Sequence, residues 1–303
     1  MKISCNVAGV ACSVVLTVLL PGGVSSRGQG QETFASGKNI APVYEGWEKN
    51  PDGSFNLVFG YFNRNWEEEL DIAIGPNNTF EPGASDRGQP THFYSRRSRF
   101  VFRVRVPADF GKSELIWSLT ANGKTERAYA TLLPEYFIDK LVISANNGGG
   151  GAAGGDDPDL HRNEPPSLRV DGEATRTAKV GVPVSLVATA HDDGIPKPRA
   201  MPPAIPGVTT FSPDSATGLR VLWFVYRGAG AITFAPQQIL PWEDIRNGAN
   251  SPTAPGWRTP PPPPNNQWIV HVTFGTPGAY VLRCQAHDGA LAVVKDVTFV
   301  VSP

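Results

Sequence analysis

The stretch Pro277-Gly278-Ala279-Tyr280-Val281-Leu282-Arg283-Cys284-Gln285-Ala286-His287-Asp288-Gly289 decides the fold class. Successive side chains of a strand point to opposite faces, so Tyr280, Leu282, Cys284 and Ala286 fall on one side. Val281, Arg283, Gln285 and His287 fall on the other. One face is apolar and the other mixed, which predicts a half-buried β-strand. Pro277-Gly278 supplies the turn that feeds it, and Asp288-Gly289 suits a tight turn returning the chain into a partner over 291–301.

The same period of two recurs on either side. Val184, Leu186, Ala188 and Ala190 alternate into His191-Asp192-Asp193-Gly194; Leu219, Val221, Trp223 and Val225 make another row, and 232–234 and 269–274 make shorter ones. Proline-rich sequence over 195–213 and an excursion over 235–267 interrupt them. The excursion carries Trp242, Trp257 and five consecutive prolines at 260–264, which favour polyproline II as a stiff spacer.

In the first half, Asn50-Pro51-Asp52-Gly53 is a turn between strands, the second with Phe55, Leu57, Phe59 and Tyr61 on one face. Further rows follow at Leu70/Ile72/Ile74, then, after a loop over 75–91, at Phe100/Phe102/Val104/Val106 and Leu115/Trp117/Leu119. Asn122-Gly123 turns the chain into 125–133, and a last strand is expected over 137–144. Roughly seven short strands in about one hundred residues are the mark of a β-sandwich. From Ala145 the sequence becomes glycine-rich, which reads as a flexible linker. The expected organisation is all-β: a signal peptide (1–30), an N-terminal sandwich domain (40–144), a linker (145–166) and a C-terminal immunoglobulin-like sandwich domain (167–303).

Composition agrees: 32 Gly and 29 Pro among 303 residues favour strands and turns over helices. A net charge of −1 with 18% charged residues supplies no field for nucleic acid, so none is expected as a partner. Lys2, an apolar run over 7–20 and then Pro21-Gly22-Gly23 read as a secretory signal, cleaved within 24–30. The run is shorter than the ~20 residues a spanning helix needs, so no membrane span is expected after cleavage. The mature protein is expected to be secreted, periplasmic or cell-surface. Cys5 and Cys12 would leave with the signal, and Cys284 is phased into the core.

Three pieces carry a family resemblance: Val180-Gly181-Val182-Pro183-Val184-Ser185-Leu186 into His191-Asp192-Asp193-Gly194; Trp223; and Pro277-Gly278-Ala279-Tyr280 into His287-Asp288-Gly289. Over roughly 167–301 the chain resembles the polycystic-kidney-disease-like and related immunoglobulin-like domains of bacterial exported proteins. The resemblance implies that Trp223 and Tyr280 are core fixtures, and that the module acts as a spacer, adhesion or accessory domain without catalysis. It departs from the family at Phe224-Val225-Tyr226-Arg227-Gly228, where an acidic, glycine-rich loop often stands.

Three groups of residues are candidate sites. Asp192, Asp193 and Asp288 end two strands expected to reach one pole, where hard carboxylate oxygens would suit Ca²⁺. The plainer and preferred reading is that each accepts backbone N–H bonds in its own turn. His191 and His287 point away from one another, which disfavours zinc. Trp242 and Trp257 sit in the excursion, where exposed rings would stack on a polysaccharide or anchor a protein, and buried ones would form a satellite cluster. Arg96, Arg97, Arg99, Arg103 and Arg105 form a basic strip, read as a solvated face opposed by Glu67, Glu68 and Glu69. Neither a Gly-x-Ser-x-Gly elbow nor His-Glu-x-x-His occurs, and no cofactor is expected beyond that Ca²⁺. The leading expectation is an exported, non-catalytic protein that binds an envelope protein or polysaccharide. The alternatives are a glycan-binding accessory protein using Trp242 and Trp257, and a secreted hydrolase with dispersed carboxylates.

Overall fold

Most of the apolar rows read above become strands, and the structure, a computed structural model, describes them over residues 34–151, 156–202 and 215–303. The expected signal peptide, 1–30, lies outside the described residues. The first half contains β1 (Ile40–Lys49), β2 (Phe55–Asn63), β3 (Leu70–Asp71), β4 (Asn78–Glu81), β5 (His92–Phe93), β6 (Arg96–Val106), β7 (Leu115–Ala121) and β8 (Lys124–Ala130). They pair as sheets β1-β2-β6 and β4-β7-β8, with β3-β5 a short ribbon between 70 and 93. Asn122 and Gly123, at φ 48° and 76°, make the two-residue turn that joins β7 to β8. Trp117 is fully buried, stacked on Phe80 at 5.8 Å with Phe59 and Phe102 edge-on. Its indole N–H donates to Asn78 Oδ1 at 3.0 Å, and the Asn78 amide donates to Ile72 and Pro90 carbonyls. That network places β4 inside the stretch expected to be loop.

Helix replaces the strand expected over 137–144: α1 is Lys140–Asn146 and α2 is Pro158–Arg162. Asp139 caps α1 by accepting the N–H groups of Leu141 and Val142, and Asp157 caps α2 through the Asp159 N–H. A cap satisfies donors that a helix start leaves unpaired. Ile143 and Leu160 then bury against Val58, Ile138, Ala290 and Leu291. Within the segment expected to be a flexible linker, 145–166, the described parts 145–151 and 156–166 are held by contacts. Asn147 donates to the Ala290 carbonyl at 2.8 Å, and Asn163 donates to Asp288 at 3.2 Å, so both ends of the segment are tied to the C-terminal hairpin.

The second half holds β9 (Ser167–Val170), β10 (Thr175–Lys179), β11 (Val184–His191), β12 (Arg220–Arg227), β13 (Ile232–Ala235), β14 (Gln267–Phe274), β15 (Gly278–His287) and β16 (Ala292–Ser302). One sheet runs β9-β11-β14-β13; the other runs β12-β15-β16-β10, with β10 parallel to β16. This is the immunoglobulin-like order, in which the first strand is split between the sheets. Trp223 and Cys284 are buried cross-strand neighbours on β12 and β15. The Tyr280 hydroxyl, near the start of β15, donates to the Thr276 carbonyl at 2.9 Å.

Both faces of β15 are covered, where sequence predicts one. Arg283 is only 6% exposed: it is bidentate to Asp296, donates to the Val101 carbonyl at 2.6 Å and lies 3.5 Å over the Tyr226 ring. Tyr226 itself belongs to the core that contains Trp117. The described residues therefore fall in one compact unit with two sandwich cores joined across β12 and β15.

Candidate functional site

Each tip carboxylate accepts at least one backbone N–H, and Asp192 Oδ1 is buried without a partner. Asp288 is fully buried and accepts from the Ala290 and Leu291 N–H groups; burial pushes its carboxyl up to about 6. Asp193 accepts from Ile195 and Glu164 N–H groups, and Asp192 from that of Gly194. Among the described residues no three acidic, histidine or cysteine side chains converge on a metal position.

Trp242 is 6% exposed, edge-on to Trp66 with ring centres 6.3 Å apart, and Arg246 lies against both rings. Of the two readings open for Trp242, that burial favours the satellite cluster over the exposed stacking face. Trp257 is half-buried and held through its backbone by Ala254 and Met201. The arginine strip is also corrected: its partners are Glu45, Glu48 and Asp52 from β1 and its turn, and Glu243 from the excursion, in place of Glu67–Glu69.

A concavity that combines aromatic walls with a perturbed titratable group opens where the two sandwiches meet. It encloses about 620 Å³, within the range of small-ligand sites. The second sandwich supplies Phe224, Ile232 and Phe234 as an apolar floor, with Thr233 and Gln237 beside them. Glu69, His92 and Tyr94 form the opposite rim. The outer edge of β12 is already closed here, because Trp223 N–H donates to Gln238 Oε1 at 3.0 Å and Val225 N–H to the Tyr94 oxygen at 2.9 Å. Side chains, not backbone, face the cleft.

His92 is placed by register: Asp71 on β3 is its cross-strand partner on β5. Its Nδ1 lies 2.8 Å from Asp71 Oδ1 and its Nε2 3.2 Å from Glu69 Oε2. Burial works against its charge, but the two carboxylates outweigh burial and raise it to about 9, so it is an imidazolium at neutral pH. Two carboxylates and one imidazolium leave the rim a single negative charge. The sequence shows nothing of this, because β3 is two residues long and its partner lies 21 residues on.

Several large apolar side chains stand in the open. Tyr129, Leu133, Tyr136, Phe137 and Val142 are all more than a third exposed, with Tyr136 at 45% and Phe137 at 47%. They are backed by β1: Tyr44 packs on Tyr136 and Trp47 on Phe137, with ring centres 5.4 and 5.0 Å apart. Trp47 Nε1 donates to the Leu133 carbonyl at 2.8 Å, which fixes the band to the sheet.

No protein-family model and no curated protein matches the chain. Among solved structures it is similar to the adhesin InvE of Yersinia pseudotuberculosis, at 13% identity, 89% coverage of this chain and a TM-score of 0.23. An I-band fragment of titin aligns at 9% identity over 87% of this chain and 64% of that one, with a TM-score of 0.23. Fibronectin(III)-like modules of Clostridium thermocellum CbhA align at 9% identity over 87% of this chain and 94% of theirs, with a TM-score of 0.21. The chain spans 61% of the InvE structure. Superpositions this loose carry no argument, and the immunoglobulin-like reading of the second sandwich rests on its strand order. No helix among the described residues is long and apolar enough to cross a membrane.

Proposed function

We propose that this protein is an exported, non-catalytic binding module that holds an oligosaccharide in the cleft between its two sandwiches. The observation that carries this reading is the pairing, in one 620 Å³ space, of an aromatic floor with a hydrogen-bonding rim. Phe224, Ile232 and Phe234 offer apolar lining to the C–H side of a sugar, while Glu69, Thr233 and Gln237 offer acceptors and donors to its hydroxyls. The His92 pair with Glu69 and Asp71 positions the rim. Export rests on the leader read from the sequence, and the immunoglobulin-like resemblance supports the non-catalytic part. Titration with a panel of neutral and acidic oligosaccharides, followed by tryptophan emission, tests it, since Trp223 borders the cleft. A saturable change that is lost in Phe224→Ala and Phe234→Ala, with melting retained, supports the proposal. No response to any glycan overturns it.

The exposed band of Tyr129, Leu133, Tyr136 and Phe137 favours a second contact, with an envelope protein. Exposed apolar surface of this kind marks macromolecular docking, and tyrosines are common anchors. Tyr136→Ala with Phe137→Ala is expected to abolish that contact while leaving oligosaccharide binding unchanged.

A further inference from the structure

Between the two sandwiches lies a second cavity, of about 110 Å³, bounded by β6, β12, β15 and the excursion. Its lining holds a buried arginine and a buried indole donor that has no partner. Arg220 and His287 meet there because they are cross-strand partners at one end of the β12–β15 pair, on the face turned toward the first sandwich. Arg220 is 6% exposed and has no carboxylate within ion-pair distance among the described residues. Its Nη1 donates to the Ala216 carbonyl at 2.9 Å and its Nη2 lies 3.3 Å from His287 Nδ1. The two other arginines on the wall are already neutralised, Arg97 by Glu45 and Arg99 by Glu243. Asp288 is the opposite charge that acts on Arg220, yet its oxygens are taken by Ala290, Leu291 and Asn163.

The remaining two donors follow from hydrogen-bond bookkeeping. Gly289 N–H donates to His287 Nδ1 at 2.7 Å, and a ring nitrogen that accepts carries no proton. The proton therefore sits on Nε2. Burial first, and then the Arg220 charge, hold this ring neutral, so it offers one N–H and no charge. Trp242, 6% exposed, also borders the cavity, and its Nε1–H is buried without a partner. A buried donor left unpaired is costly, so the Trp242 indole N–H beside a guanidinium that lacks a carboxylate describes a space shaped for an acceptor.

We propose that this cavity binds a small monocarboxylate ion, whose two oxygens accept from the Arg220 guanidinium and from the indole and imidazole N–H groups. A planar carboxylate matches the fork of a guanidinium. The cavity has room for a few water-sized volumes, which suits acetate or lactate and excludes a sugar ring. One unpaired positive charge matches one negative charge, not two. The site shares the Ile239, Leu240 and Pro241 wall with the cleft but none of the residues on which the cleft reading rests, so its failure would leave that reading untouched.

Titration of the full chain with sodium acetate, followed by the indole N–H resonances, tests this against sodium chloride and sodium sulfate at equal ionic strength. The Trp242 resonance, assigned by its loss in Trp242→Phe, is expected to shift saturably with acetate and to stay still with chloride. Arg220→Lys is expected to weaken acetate binding about tenfold, because a point charge replaces a bidentate fork. Trp242→Phe keeps the ring and removes one donor, and an affinity loss of about threefold to tenfold is expected. It is read by the remaining indole signals and by calorimetry, and it holds the test open if Arg220→Lys fails to fold. Equal responses to acetate and chloride overturn the proposal. So does sulfate binding as tightly as acetate, or unchanged acetate affinity in Trp242→Phe.

Discussion

At Gly60 the space a side chain would take is already filled. A Cβ there would lie 2.2 Å from Glu45 Oε1 and 2.4 Å from the Ser98 carbonyl. Glu45 on β1 and Arg97 on β6 meet across β2 only because its middle residue is bare. Gly60→Ala is expected to destabilise the protein by about 2 kcal/mol, by overpacking and by loss of that ion pair, as measured by urea unfolding. An unchanged midpoint would show that the sheet bends at no cost. His92 makes a prediction of opposite kind, in pH. Its folded value of about 9 stands above the ordinary histidine value near 6.5. The charged form is therefore favoured by folding, and its contribution is complete below pH ~6.5 and lost as pH rises through about 9. Stability is expected to fall by on the order of 2 kcal/mol between pH ~6 and ~10 from this group. Asp71→Asn with Glu69→Gln should flatten that limb, and the His92 ring protons, followed by NMR, should then titrate nearer the ordinary value. Neither residue is marked by the local sequence: Gly60 interrupts an aromatic run with no turn signal, and His92 finds its carboxylates only through a ribbon two residues long.

Among the elements, period-two alternation located the strands whose inward residues share one core, such as Leu115, Trp117 and Leu119 on β7. It failed where local hydrogen bonding competes. In the 137–144 stretch the apolar residues Phe137, Leu141 and Ile143 suit a strand, and only Asp139 with its two accepted N–H groups turns the chain into α1. Asn78-Thr79-Phe80-Glu81 looks like loop, yet it is a strand because Asn78 is consumed inside the core by Trp117, Ile72 and Pro90. The candidate site was still less legible. Trp242, for which an exposed stacking ring and a buried satellite were both open, is buried, whereas the exposed ring Phe137 falls in a stretch read as ordinary strand and Tyr136 just before it. Strand β15 shows the limit of the method, since alternation distinguishes its two faces but is blind to a second layer laid over the mixed one. Arg283→Ala tests that layer directly. It removes a bidentate bond to Asp296, a bond to the Val101 carbonyl and the contact with the Tyr226 ring, and a loss of about 2–3 kcal/mol is expected. The exposed Val300→Thr on neighbouring β16 should cost less than about 0.5 kcal/mol. Equal costs for the two would mean that the outer face of β15 is open to water.

Across the whole molecule, the question is whether two cores behave as one. A glycine-rich segment between two sandwich patterns suggests independence, and sequence offers no counter-signal. The contacts between the lobes argue the reverse. Arg227 is bidentate to Asp86 and donates to the Gln89 carbonyl at 2.8 Å. The Thr91 N–H donates to the Tyr226 carbonyl at 3.1 Å, and the Tyr226 hydroxyl donates to the Gly88 carbonyl at 2.5 Å. Tyr226 is a residue of the second sandwich that is packed in the core of the first. Unfolding either sandwich would strip these groups of their partners and expose the Tyr226 ring, so the cost of separating the lobes is charged to whichever unfolds first. A single cooperative transition is expected, with tryptophan emission and far-ultraviolet circular dichroism coincident in urea. Tyr226→Ala should lower its midpoint by about 3 kcal/mol, as for a buried aromatic, and should act on both cores together. Two separated transitions in the unmodified protein, or a Tyr226→Ala variant in which only one of two transitions moves, would mean that the sandwiches are independent, and the cleft between them would then lack a fixed geometry to hold a ligand.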